Sequence, residues 1–441
     1  MAETAPTAAD RLSRFASTRA RLAVILALGF ALRLALAFSI DPVLRSDALE
    51  YHEYGLHLAQ EGRYSIINHG PQVAWHGMEM FSYRPPGYPF FLAGIYSVLG
   101  DRPRAALVAQ ALLDTLTVLL VFLLARFYLP ENPSLLVALL YALHPFYVPM
   151  IMTEVLFIFL LALNLLHWAR AAEFRLPAQA LFGLAFGAAT LTRPAFIIFA
   201  PLVAFLLLLP RDHSGWKKRA FALAVWGVCG AAVIAPWFYR EYRVHGRFVF
   251  ITSNGGRTFF DGNYLPTSAT EIIVKGRLKG EDEAAIDRDF FDLTVQYLGE
   301  HPGHAGRMMF KRLKNLWTFD LPSEFRVLYL AVLLAQPGFF ATLLGWITYL
   351  LYAVSRVVMA GALVGMAVKW KARWNWRLLY LLPLLVTAFH FFFYHGKPRY
   401  LSPCYPVLSI FFAAAWLRGK EVFNHKGTKT PSTRNFSQFF P

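Results

Sequence analysis

The chain alternates between long apolar runs and short polar breaks. Apolar stretches lie near 21–40, 105–127, 133–150, 154–172, 177–192, 194–209, 220–238, 339–368, 376–394 and 400–417. A run of about 18 or more such residues is long enough to cross a bilayer as a helix. Lipid offers the backbone no hydrogen-bond partner, so spans of this kind must be helical. The pattern predicts an all-α polytopic membrane protein with about ten transmembrane helices.

Two longer intervals interrupt the rhythm, 41–104 and 239–338. In the first, the apolar stretch 87–100 holds only 14 residues, a length that suits a re-entrant or interfacial helix better than a span. In the second, glycine turns at 253–256 and 261–263 flank short aromatic runs, which predicts a loop-rich, substrate-facing structure. Amphipathic helices follow over 284–319, broken at His301-Pro302. The sequence thus divides into an N-terminal segment 1–20, a transmembrane domain 21–417 and a polar, cationic tail 418–441 with no apolar periodicity, expected to be disordered.

Composition sharpens this picture. The chain is 57% hydrophobic and 16% charged, against about 25% charged in a soluble protein. The net charge of +16 could point to nucleic acid, but the basic residues gather in alternate breaks. Arg11, Arg14, Arg19 and Arg21 precede the first run. Arg170 with Arg175, Lys217 with Lys218, Lys369 with Lys371, and Arg418 with Lys420 mark later ones. That distribution is the positive-inside pattern of cytoplasmic connections, and it argues against a nucleic-acid partner. An even number of spans then leaves both termini in the cytoplasm of a multi-pass plasma membrane protein. It places 41–104 and 239–338 on the outer, periplasmic face. The first run has no small-residue cleavage site after it and reads as an uncleaved anchor. Cys229 and Cys404 fall in or beside apolar runs and read as buried thiols.

Candidate chemistry collects at the outer ends of the spans. The first outer interval opens Arg45-Ser46-Asp47-Ala48-Leu49-Glu50-Tyr51, with Ser46 placed to cap a helix. On that helix Asp47, Glu50, Tyr51 and Tyr54 share a face, so a general base and a sugar-stacking ring can stand together. The plain alternative is an interfacial helix with acids in its first turn. Arg84, in Tyr83-Arg84-Pro85-Pro86-Gly87-Tyr88-Pro89, sits at headgroup depth where a guanidinium can pair a phosphate. Its plain alternative is a snorkelling arginine. Arg193 in Thr192-Arg193-Pro194, and Lys397 and Arg399 before Tyr400, occupy short outer turns where the positive-inside rule disfavours cations. Cations in three separate outer turns point to an anionic ligand, most simply a lipid phosphate. Glu154 begins a span on the same side, whereas Arg33 and Asp114 read first as a buried structural pair. His144, His167 and His390 lack metal-ligand spacing and read as packing residues. No phosphate-binding loop, nucleophile elbow, zinc or dinucleotide signature appears.

Asp47 to Tyr51, Arg84 to Pro89, Thr153-Glu154, Thr192 to Pro194, Pro236-Trp237 to Asn263 and Pro398 to Tyr400 together resemble, in order and membrane side, the GT-C glycosyltransferases. The likeness is to the bacterial family akin to protein O-mannosyltransferases and the lipid A aminoarabinose transferase, and it covers about 21–417. It implies a polyprenyl-phosphate sugar donor, an outer-face site, GT-C-like outer loops with juxtamembrane helices, and a lipid, glycan or protein acceptor. It implies a catalytic base at Asp47, with Glu50 as the substitute. Donor phosphate would be held by Arg84, Arg193, Lys397 and Arg399. Tyr51, Tyr88, Glu154, Asn263 and Tyr400 would contact substrate. The aminoarabinose branch has a carboxylate where Tyr83 stands, so a metal like that branch's is not expected; a divalent ion stays open. A secondary transporter or lipid flippase would need repeats, which the sequence lacks, and polar groups deep in the bilayer, whereas here they gather at the outer ends. A polysaccharide polymerase or ligase would share the donor.

Overall fold

The computed structural model describes residues 8–39, 41–68, 77–144, 147–170, 176–208, 215–263, 282–318, 339–371, 374–393 and 396–427. The polar tail from 428, His395, and the stretches 264–281 and 319–338 of the second interval lie outside them.

The protein is an all-helical membrane bundle. The first span is α1 (Ala8–Ser39), and α2 (Asp47–Glu61) follows it. A two-residue hairpin pairs Ile66 with Met80 and Ile67 with Glu79. Next come α3 (Gly87–Leu99), α4 (Pro103–Ala125), α5 (Glu131–Ala142), α6 (Glu154–Ala169) and α7 (Leu176–Thr192). A 3-10 turn, Pro194–Phe199, leads into α8 (Ala200–Leu208), and α9 (Trp216–His245) returns. Three helices outside the bundle, α10 (Gly255–Asn263), α11 (Glu283–Glu300) and α12 (Pro302–Leu316), lie beside its end. The chain finishes with α13 (Phe339–Lys369), α14 (Trp374–Phe392), a 3-10 turn at Pro398–Cys404 and α15 (Tyr405–Gly427). Among the described residues, five helices are long and apolar enough to cross a membrane unaided: those at 16–39, 103–125, 216–245, 349–369 and 398–418. Shorter apolar helices fill the places between them.

Most expected boundaries fall within a few residues of these helices, and four lie further off: α1 begins at Ala8 rather than 21, α9 runs to His245 rather than 238, and two more concern the end of a span. The expected span 133–150 stops at Ala142, because Pro145 and Pro149 follow and a proline excludes the helical region for the residue before it. At the other end, α15 runs to Gly427, ten residues past the expected end of the last span.

Packing explains two features that composition leaves open. Gly183 and Gly187 stand four apart on α7, and α9 crosses there. A Cβ on Gly183 would collide with the Trp226 carbonyl oxygen, and one on Gly187 would come within 2.7 Å of the Gly230 carbonyl oxygen. Small residues at this spacing let two helix backbones approach closely in lipid. The second feature is the buried ion pair. Arg33 Nη2 lies 2.7 Å from Asp114 Oδ2, and Arg33 Nη1 donates to the Ala142 carbonyl at 2.8 Å. The Tyr141 hydroxyl donates to Asp114 Oδ1 at 2.9 Å, so every charge in this knot is matched. The structural reading of the pair holds. Both cysteines are free thiols, Cys404 buried and Cys229 partly so.

Candidate active site

The N-terminus of α6, the end of α7, the segment after α9, α14 and the 3-10 turn before α15 meet the N-terminus of α2 around one cavity, and the charged candidates come together there. The helix α2 begins at Asp47, as expected. Ser46 occupies the cap position but makes no side-chain cap bond. Its φ of 51° turns the chain sharply into the helix, and its hydroxyl reaches Asp47 Oδ1 at 3.4 Å instead.

Asp47, Glu50 and Tyr51 do share a face, and Arg84 lies across it. Pro85 and Pro86 fix the backbone that delivers Arg84, and the Tyr64 hydroxyl donates to the Arg84 carbonyl oxygen at 2.7 Å. The guanidinium divides its bonds. Nη2 donates to Asp47 Oδ1 at 2.7 Å and Nε to Glu50 Oε2 at 2.5 Å. The rings of Tyr51 and Tyr83 flank it at 5.4 and 5.0 Å. Gly87 follows because the chain then presses on the end of α7: a Cβ there would come within 2.7 Å of the Thr192 nitrogen.

From the far end of the sequence, Arg399 completes the cluster. The 3-10 turn Pro398–Cys404 points its Nη2 at Asp47 Oδ2, 3.1 Å away, and the same atom donates to the Tyr400 hydroxyl at 3.1 Å. Burial alone would push the Asp47 carboxyl up; the charges of Arg84 and then Arg399 outweigh it and hold Asp47 well below the usual carboxylate range. Glu50 goes the other way. Burial raises it, Asp47 adds to the effect, and Arg84 only partly offsets them.

A second pair faces the first across a shared cavity. Arg193 Nη2 donates to Glu154 Oε1 at 2.7 Å, and its Nε reaches Thr153 Oγ1 at 3.3 Å. Glu154 is 1% exposed, and its Oε2 has no hydrogen-bond partner. The cavity, about 760 Å³, is lined by Asp47, Tyr51, Arg84, Glu154, Arg193, Arg399 and Tyr400. Its remaining wall is largely apolar, with Phe157, Phe196, Phe199, Leu382, Val386 and Phe389 from the bundle. Segment 247–259 and part of α11 close the other side.

Not every candidate reaches this space. Tyr88 is fully buried and donates to Gln110 Oε1 at 2.5 Å; it is a core residue. Asn263 is also buried. Its Oδ1 accepts from Arg312 Nη1 at 2.8 Å and its carbonyl oxygen bonds His304 Nε2 at 2.7 Å, so it joins α10 to α12. Lys397 is half-buried and outside the lining residues, although its charge is felt at Asp47. Glu50 lies behind Arg84, also outside the lining. Conversely, His390 stacks on Tyr400 at 4.8 Å and lines the cavity, a position its spacing did not reveal. The glycine turn at 255–256 starts a helix. Asp287 on α11 caps it, accepting from Gly256 N at 3.0 Å and Arg257 N at 2.9 Å. Among the described residues no cluster of three or more His, Cys, Asp or Glu is arranged to hold a metal ion.

A polar knot fixes this end of the molecule. Ser82 Oγ donates to Glu241 Oε1 at 2.9 Å and lies 2.8 Å from His245 Nε2, while its carbonyl oxygen accepts from Ser253 N at 2.9 Å. Glu283 Oε1 accepts from Phe81 N at 3.0 Å. The first interval, α9, the cavity wall and α11 are thereby tied together two residues from Arg84.

Residues 83–239, less than half of the chain, match the family model described as dolichyl-phosphate-mannose-protein mannosyltransferase. No curated protein matches. Among solved structures, the apo oligosaccharyltransferase of Archaeoglobus fulgidus aligns with 94% of this chain at 14% identity and a TM-score of 0.52. That organism's oligosaccharyltransferase AglB, in complex with an inhibitory peptide and a dolichol-phosphate, aligns with 94% at 12% identity and a TM-score of 0.50. Both alignments cover 53% of the other protein, so this chain spans about half the length of the oligosaccharyltransferases it matches. ArnT from Cupriavidus metallidurans, bound to undecaprenyl phosphate, aligns with 93% of this chain and 80% of its own at 16% identity. The TM-score of that alignment is 0.42.

Proposed function

We propose that this chain, whose membrane fold is that of the GT-C glycosyltransferases, moves a sugar from a polyprenyl-phosphate donor to an acceptor hydroxyl on a lipid, glycan or protein. The observation that carries the reading is a carboxylate held between two arginines in a cavity whose bundle-side wall is largely apolar. The apolar wall suits a prenyl chain entering from the bilayer, and the guanidinium groups suit its phosphate.

In this mechanism the acceptor oxygen attacks the anomeric carbon from the side opposite the phosphate. Asp47 takes the acceptor's hydroxyl proton as the new carbon–oxygen bond forms. The bond from the anomeric carbon to the phosphate oxygen breaks, and its electron pair leaves with the polyprenyl phosphate. Arg84, Arg399 and Arg193 stabilise the charge that grows on that oxygen. The stereochemistry inverts in a single displacement. The site faces the periplasm of a plasma membrane protein with both termini in the cytoplasm, which accords with the basic breaks lying at the opposite bundle end. Glu154 and Tyr400 contact the sugar or acceptor from the cavity wall.

The test is a panel of polyprenyl-phosphate sugars, alongside nucleotide sugars, offered to the protein in nanodiscs. Release of sugar from a polyprenyl-phosphate donor alone is expected. Turnover of nucleotide sugars, or retained anomeric configuration in the product, would overturn the reading.

A further inference from the structure

Arg84 and Arg399 each bond a different oxygen of Asp47, at 2.7 and 3.1 Å. These are the same two groups assigned to the donor phosphate. We infer that Asp47 and the donor phosphate compete for Arg84 and Arg399, and that Glu50 is a positioning residue that keeps Arg84 in place while they exchange. The inference rests on the proposed donor chemistry and goes beyond it.

The geometry separates the two carboxylates by role. Asp47, Arg84 and Arg399 all line the cavity, whereas Glu50 does not. Glu50 grips Arg84 at Nε, on the guanidinium edge away from the cavity. The Tyr51 and Tyr83 rings hold the guanidinium plane, and Pro85 fixes the backbone beyond. A phosphate oxygen arriving from the cavity therefore meets Arg84 already oriented. Arg84 Nη2 can pass from Asp47 to phosphate without the side chain moving, because Nε stays bound. Arg399 behaves alike, since its Nη2 is anchored on the Tyr400 hydroxyl.

The exchange has a chemical consequence. Two guanidinium groups stabilise Asp47 as a carboxylate and make it a weak proton acceptor. Once they turn to phosphate, Asp47 loses those partners and gains an anionic neighbour, and both changes raise its affinity for a proton. The base is thus strengthened by the arrival of the donor it serves, and the phosphate must displace a carboxylate to bind.

The competition is read by equilibrium binding of undecaprenyl phosphate to the full-length protein in nanodiscs, with undecaprenol as the neutral control. Wild type is expected to bind the phosphate in preference to the alcohol. Asp47→Asn, which removes the charge that both guanidinium groups pair with, is expected to bind undecaprenyl phosphate at least about fivefold more tightly. Asp47→Ser must show the same gain, which guards against an effect peculiar to one variant. Glu50→Gln removes an equal charge from behind Arg84; it is expected to give no gain in affinity and to raise the donor KM more than it lowers kcat. An Asp47→Asn affinity equal to or weaker than wild type, or an equal gain from Glu50→Gln, would overturn the competition and leave the proposed function standing. Failure of wild type to prefer the phosphate over the alcohol would overturn both.

Discussion

Arg84 serves Asp47 and Glu50 at once, a task that needs the planar, forked donor set of a guanidinium. A lysine at the position keeps the charge but cannot hold both edges. Arg84→Lys is therefore expected to raise the donor KM about tenfold, the size of one lost charge-assisted bond, with the fold retained. An unchanged KM would show that Arg84 does not meet the donor. The residues that the sequence made legible were charged groups at the outer ends of the spans: Glu154, Arg193 and Arg399 stand where lipid or the positive-inside rule disfavours them, while Asp47 and Arg84 stood out by their helix face and by their proline-fixed place at headgroup depth. Tyr88 and Asn263 were misread for the converse reason. A tyrosine or asparagine near a membrane surface is unremarkable in sequence, and only packing shows that both spend their polar groups on Gln110 and Arg312. His390 was legible as a packing residue but not as a wall of the cavity, because its partner Tyr400 lies on another element.

Helices were easier to read than their ends. Apolar length predicted α4, α7 and α13 within a few residues, and the His301-Pro302 break falls between α11 and α12 as expected. The junctions depend on prolines and on contacts distant in sequence. The cap of α10 is Asp287, contributed by α11, and no local pattern announces it. The close crossing of α7 and α9 is equally non-local, although Gly183 and Gly187 hint at it by their spacing. Gly183→Val is expected to cost about 1–3 kcal/mol through overpacking, seen as a lower melting temperature in detergent. A variant as stable as wild type would mean that the helices do not meet there.

At the scale of the whole molecule, the bundle provides an apolar cavity and the segments at its end provide charge. The knot at Ser82 joins those segments, and Glu283 gives it a pH dependence. Burial pushes the Glu283 carboxyl up to about 8 from the usual 4.5. The folded protein thus holds a proton that the unfolded chain releases at lower pH. Stability from this group is complete below about 4.5 and is lost as pH rises from there through about 8. Wild type should melt at a falling temperature over that window. Glu283→Gln should flatten the curve and match or exceed wild type at its alkaline end. A parallel fall in both proteins would assign the dependence to another group.

The central claim is that Asp47 takes the acceptor proton during transfer from a polyprenyl-phosphate sugar. Its most direct measurement is single-turnover sugar transfer from that donor by wild type and Asp47→Asn, each saturated with donor. The account predicts a loss of at least about a hundredfold in the variant, the scale of a removed general base, with donor bound no more weakly. Equal rates in the two proteins would contradict it.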